Sequence, residues 1–305
     1  MDIEIDAKTS FIEHVKARIF PTDYLVLIYG VFLTLVALVF GGRSGEANAF
    51  LTLDFGILLI LSVCIYFERR DFHSQIYWIH VWIPILTLAL FYTQCTVFDN
   101  LVFPQTFDPL LQKWDKAVFG VTLNTTLAPF ANSPFIDESM HGFYFSYYFM
   151  LFVPGLIMML KRNPLVFEMI FTIAAMAYVH YIFFMLFPAD GPLDYRSQLF
   201  GKGIVFIPLM DFIYQTSGQQ GGGAFPSTHV STVVVIMLFT AKYRRKSLWL
   251  TAPVTAGIVI ATVYCSYHYA IDALAGIVSG FLCYYLGRSV YSHWKHPSEL
   301  TVEQE

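Results

Sequence analysis

Charge is what this sequence has least of. Asp, Glu, Lys and Arg make up 13% of its 305 residues, about half of the roughly 25% usual in a soluble domain. So few ions cannot coat a water-facing surface of that size, which excludes an ordinary soluble fold. No run of five or six like charges occurs and the net charge is -4, so neither a nucleic-acid footprint nor an acidic interaction tail is present. Cysteine is scarce as well: Cys64, Cys95, Cys265 and Cys283 share no CxxC spacing and lie in or beside apolar segments, where they read as packing residues. Residues 1–23, 'MDIEIDAKTSFIEHVKARIFPTD', have no apolar core followed by small residues, and no cleaved signal peptide is expected there. A repeat of 20–50 residues is also missing, which argues against solenoids and tandem transporters.

What the chain has in excess is apolar surface, 56% hydrophobic and 18% aromatic residues. A helix needs about 20 mostly apolar residues to cross the ~30 Å hydrocarbon core. Runs of that kind lie near 24–40, 48–67, 76–98, 140–160, 165–187, 228–241, 248–266 and 268–290, the sixth being short unless it draws in part of the preceding loop. The expectation is an all-α integral membrane protein of about eight transmembrane helices. Its parts are an N-terminal region of two helices (1–75), a six-helix core (76–290) and a tail (291–305). Two connections, 99–139 and 188–227, are too long for turns. In the first, Leu110, Leu111, Trp114, Val118 and Phe119 recur at helical spacing, which suits an interfacial helix and equally a docked loop helix.

Eight spans put both termini on one side. That side collects thirteen of the 18 basic residues, among them Lys242, Arg244, Arg245 and Lys246, and the other side five: Arg43, Lys113, Lys116, Arg196 and Lys202. The positive-inside rule then makes the termini cytoplasmic and puts both long connections on the periplasmic, lumenal or exterior face.

Two segments concentrate polar groups at helix mouths, where ionisable residues are costly and functional hypotheses come first. In 'GGGAFPSTH' (221–229), Pro226 suits the first turn of a starting helix, whose free N–H groups attract anions, and Gly221, Gly222 and Gly223 permit close backbone approach. The plainer reading is a glycine loop and a helix cap. In 'SYHYAID' (266–272), His268 and Asp272 stand four apart, one turn on a helix. A carboxylate holding one imidazole nitrogen raises the basicity of the other, as a nucleophilic His268 requires. The pair reads as well as a self-satisfied interior contact. His229, His268 and Asp272 also have the composition of a 2-His-1-carboxylate metal site, although Ser227 and the glycines suit an anion better.

These residues resemble the type-2 phosphatidic acid phosphatase superfamily. Its P-S-x-H motif matches Pro226 to His229, and the H-x-x-x-D end of its third motif matches His268 to Asp272. 'FPADGP' (187–192) and 'WDKAVFG' (114–120) look like segments of the inositol phosphorylceramide synthase-like branch. The resemblance implies His268 as a nucleophile forming a phosphohistidine, Asp272 as its orienter, His229 as general acid and Ser227 as a phosphate ligand, with no metal or other cofactor required. It also implies a membrane lipid substrate (a phospholipid, lipid phosphate or polyprenyl phosphate), with water or a lipid alcohol as acceptor. Two departures stand out. The K-x6-R-P motif is missing, and Ala261 and Thr262 stand where the phosphatase branch has Ser-Arg. Arg196, with Lys202 behind it, is the expected replacement clamp beside Gly223, while an interfacial snorkelling arginine is the plainer reading. His141 and His180 read as interior histidines, and Asp190 and Asp194 as turn residues. A different class, a lipid or ion transporter with a His/Asp proton relay, needs neither Ser227 nor the glycine run.

Overall fold

The structure is a computed structural model that describes residues 19–44, 47–67, 73–127, 133–201, 203–217 and 221–294. The α-helices among them are α1 (Pro21–Ser44), α2 (Ala47–Phe67), α3 (Gln75–Val97), α4 (Asp108–Phe119), α5 (Leu123–Leu127), α6 (Pro134–Leu160), α7 (Leu165–Leu186), α8 (Arg196–Leu199), α9 (Phe206–Ser217), α10 (Thr228–Tyr243), α11 (Leu248–Tyr264) and α12 (Ala270–His293). No strand occurs among the described residues, and one isolated bridge joins Ala189 to Gly223.

Among the described residues seven helices, α1, α2, α3, α6, α7, α11 and α12, are long and apolar enough to cross a membrane. Large apolar side chains such as Leu38, Val39, Phe55 and Trp249 stand exposed along them, which suits hydrocarbon as the solvent. The chain is a multi-pass membrane protein. The eighth expected span, α10, has 16 residues and reaches only ~24 Å at 1.5 Å per residue. It takes in nothing of the preceding loop, because Ser227 caps it with extended backbone (φ -63°, ψ 107°).

The chain divides into two compact units. In the first (Met1–Gln94, Pro154–Tyr178, Cys283–Glu305), Tyr29 stacks on Tyr178 at 4.5 Å. Its buried ionisable groups are paired, as an apolar surrounding demands: Asp23 with His80 at 3.0 Å, Asp54 with Gln94 at 2.7 Å, and Glu168 with Arg288 at 2.7 Å.

The second unit (Cys95–Val153, Val179–Leu282) holds every segment singled out for chemistry. Here α10 and α12 pack backbone to backbone. A Cβ on Gly276 would lie 2.7 Å from the Ser227 carbonyl oxygen, and one on Gly280 2.9 Å from that of Ser231. This small-xxx-small spacing brings helices close in membranes, and the Ser231 and Ser279 hydroxyls add a 2.7 Å hydrogen bond. The amphipathic helix expected in 99–139 is α4, docked through buried Leu111 and Asp115 while Trp114 and Val118 face outward.

Three local expectations are corrected. The fourth span starts at Pro134 rather than near 140. A further helix, α9, lies in the 188–227 connection; the Glu138 carboxylate accepts from the N–H groups of Ile204, Val205 and Phe206 and so satisfies its first turn. The last span starts at Ala270, two residues after His268, so that His268 precedes the helix carrying Asp272.

Candidate active site

The chain reverses sharply between α11 and α12. Ser266 takes a left-handed φ of 55°, and the N–H groups of Tyr267 and His268 both donate to the Thr262 carbonyl at 3.0 Å. Two carboxylates satisfy the first turn of α12. Asp272 Oδ2 accepts from Tyr269 N at 2.8 Å, and Asp115 Oδ1, from α4, accepts from Ile271 N at 2.7 Å. The first contact has the geometry of an acidic capping box. Burial pushes the Asp115 carboxyl above its ordinary range.

His268 is buried in this turn. Its Nδ1 lies 3.0 Å from the Ala224 carbonyl oxygen and 3.6 Å from Asp272 Oδ2. A carbonyl only accepts, so Nδ1 carries the proton and Nε2 the lone pair. Burial pushes the imidazole down to about 4, with the Ala224 bond acting the other way, so the ring is neutral at pH 7.

The loop carrying Ala224 is fastened on both sides. Ala224 N donates to Ala189 O at 2.9 Å, and Gly222 N donates to Asp190 Oδ1 at 2.9 Å. The Asp108 carboxylate in turn accepts from Asp190 N at 2.9 Å and Gly191 N at 2.8 Å. Gly191 has φ 75°, and a Cβ there would meet the Tyr267 carbonyl oxygen at 2.8 Å, so only glycine lets 'FPADGP' pass this close. Burial, with Asp108 and Asp194 nearby, holds the Asp190 carboxyl above its usual range. Gly223 lies within this bridge, while Asp194 is exposed in a short 3-10 turn.

His229 sits in the first turn of α10, its ring centroid 6.0 Å from that of His268. Its Nε2 is 3.4 Å from the Tyr144 hydroxyl, and the Tyr147 ring lies 4.4 Å away. Ser227 is fully buried and its hydroxyl accepts from Val230 N at 3.4 Å. Its own N–H donates to the Asp272 carbonyl at 3.1 Å, tying the two motifs together. His180 Nδ1 bonds the Thr228 hydroxyl at 3.1 Å.

Arg196 comes to the same region from α8. Its Cζ lies 4.0 Å over the Tyr267 ring, and Nη2 donates to Asp211 Oδ1 at 3.2 Å and approaches His141 Nε2 at 3.5 Å. His141 donates its Nδ1–H to the Asp137 carbonyl at 2.8 Å, which leaves Nε2 to face the arginine. Arg196 Nε is buried without a partner. Tyr267 stacks on Tyr144 at 3.9 Å, and the Tyr144 and Tyr214 hydroxyls share a 2.9 Å bond. An aromatic wall therefore runs from Arg196 to His229.

The fold thus brings together His268, His229, Asp272 and Ser227, with Arg196 against the residue preceding His268. Lys202 lies outside the described residues. Sequence reasoning missed the Ala224 carbonyl, Tyr144, Tyr214 and Asp211, and reached Asp115 only as part of 'WDKAVFG', without a role. Spacing held a signal for some of them, since Tyr144 follows His141 by three, as Tyr214 follows Asp211, whereas no side-chain pattern announces a backbone carbonyl.

A family model described as the PAP2 superfamily matches residues 110–286, more than half of the chain. No curated protein and no solved structure matches it. The match takes in both motifs with His268, His229, Asp272, Ser227 and Arg196, and the chain belongs to the PAP2 superfamily, a family of phosphatases and phosphotransferases.

Proposed function

We propose that this protein transfers a phosphoryl or phosphodiester head group from a membrane lipid to water or to a lipid alcohol through a phosphohistidine. The observation that carries this reading is the tautomer of His268: Nδ1–H is committed to the Ala224 carbonyl at 3.0 Å, so Nε2 presents its lone pair, with a second imidazole 6.0 Å away between ring centroids.

In this reading Nε2 of His268 attacks phosphorus and the ester P–O bond breaks. The departing oxygen takes a proton from His229, whose imidazolium form is favoured once an anionic substrate arrives. Water or a lipid hydroxyl then gives a proton to His229 and attacks phosphorus, and the P–N bond breaks to restore His268. Asp272, 3.6 Å from Nδ1, stabilises the charge gained by the phosphorylated ring, while Ala224 sets its orientation. Arg196 receives phosphate oxygens as a planar, bidentate donor. The long 3.4 Å cap bond of Ser227 leaves its hydroxyl open to competition by the substrate, beside Gly223.

'FPADGP' and 'WDKAVFG' support the synthase-like branch, and Ala261 and Thr262 in place of Ser-Arg support head-group transfer, since a diester presents less charge to neutralise than a monoester. With α10 counted as a span, the distribution of Lys and Arg supports cytoplasmic termini and a site on the opposite face. Incubating purified protein with labelled phospholipid and quenching in alkali should trap phosphohistidine in the wild type. In His268→Ala the label should vanish and turnover fall by ~10³-fold or more; undiminished turnover in that variant would remove the nucleophile from the scheme.

A further inference from the structure

A cavity of about 300 Å³ lies between α8 with its flanking residues and α9, and Arg196, Phe200, Asp211 and Tyr214 are among the residues that line it. It adjoins the catalytic groups through two of its walls. Arg196 covers the ring of Tyr267, the residue before His268, at 4.0 Å. The Tyr214 hydroxyl bonds that of Tyr144, which lies 3.4 Å from His229 Nε2.

Arg196 and Asp211 are the only charged residues in the described lining, and they present themselves to it unequally. The Arg196 side chain is 11% exposed and that of Asp211 46%. Asp211 Oδ1 accepts from Arg196 Nη2 at 3.2 Å, and a carboxylate has about four lone-pair sites, so most of its accepting capacity stays open. The charge that a ligand entering this cavity meets first is therefore negative. Aromatic rings at Tyr214 and Phe200 add faces that attract a cation. The positive charge sits further inside, against Tyr267 and hence toward His268.

A ligand that matches this order carries a phosphate at its inner end and a cation at its outer end. A second negative charge beside Asp211 would be repelled. A hydroxyl would bond the carboxylate without neutralising it, whereas an ammonium does both. Resting on the proposed reaction for the place of the phosphorus, we propose that this cavity receives the head group of a zwitterionic phosphodiester, with its phosphate at Arg196 and its ammonium at Asp211. Asp211 is then the residue that sets specificity, disfavouring dianionic monoesters and head groups that lack a cation.

Glycerophosphoethanolamine, glycerophosphoglycerol and glycerol 3-phosphate serve as soluble probes of a zwitterionic diester, an anionic diester and a monoester. The readout is the thermal midpoint of the full-length protein, wild type and His268→Ala, titrated with each probe. Glycerophosphoethanolamine should bind roughly tenfold more tightly than the other two, the worth of one charge-assisted bond. Asp211→Asn should abolish that preference and Asp211→Glu should keep it. Equal or tighter binding of glycerophosphoglycerol or glycerol 3-phosphate, a preference that survives Asp211→Asn, or no shift with any probe overturns the assignment. The comparison among probes needs no change at Asp211, so it decides the matter even where Asp211→Asn does not fold. A preference retained in His268→Ala is independent of whether His268 is the nucleophile, which the alkaline trap decides.

Discussion

His268 has two acceptors near Nδ1, and the closer one, the Ala224 carbonyl, takes the proton. Asp272 was expected in that role from its four-residue spacing. Its Oδ2 is instead engaged by Tyr269 N at 2.8 Å, because His268 precedes α12 and Asp272 sits in the helix's first turn. The histidines and the carboxylate were legible because their side chains carry the chemistry, whereas a main-chain acceptor 44 residues away has no signature. Nitrogen NMR of the labelled protein should show His268 at pH 7 as the Nδ1–H form, protonating near pH 4; a midpoint near 6.5 would contradict the buried setting. Between pH 6.5 and 4 the unfolded chain binds the proton and the folded one does not, so this group's contribution is present above 6.5 and lost as pH falls through that window.

Among the elements, length and hydropathy made the long helices readable, since each must satisfy its own backbone in hydrocarbon. α9 escaped notice because its 12 residues are too few for a span and its partner, Glu138, is 66 residues away from Ile204. What holds α10 against α12 is the Gly276-xxx-Gly280 pair, visible in the sequence yet meaningful only once the facing helix is known. Gly276→Val forces side-chain volume onto the carbonyl of Ser227, the residue whose hydroxyl caps α10 beside His229. Such overpacking costs about 1–3 kcal/mol, and the variant should show a lower thermal midpoint in detergent together with reduced phosphoryl transfer. Unchanged stability would show that the two helices have room to spare.

For the molecule as a whole, the asymmetry of Lys and Arg sets the expected sidedness. Gln215 is exposed on α9, while Cys64, Cys95 and Cys265 are buried. A Gln215→Cys variant should therefore react with a membrane-impermeant maleimide added outside intact cells, and labelling only after permeabilisation would reverse the orientation. The membrane class, the long helices and the two histidine motifs were determined by sequence alone, because hydropathy and residue spacing are local properties. Tertiary structure decided which groups meet: Ala224 with His268, Asp115 with the start of α12, Arg196 with Tyr267 and Asp211. Ala224 and Asp115 come from distant elements and satisfy polar groups buried away from water, while Arg196 gains a carboxylate 15 residues along the chain and an aromatic face.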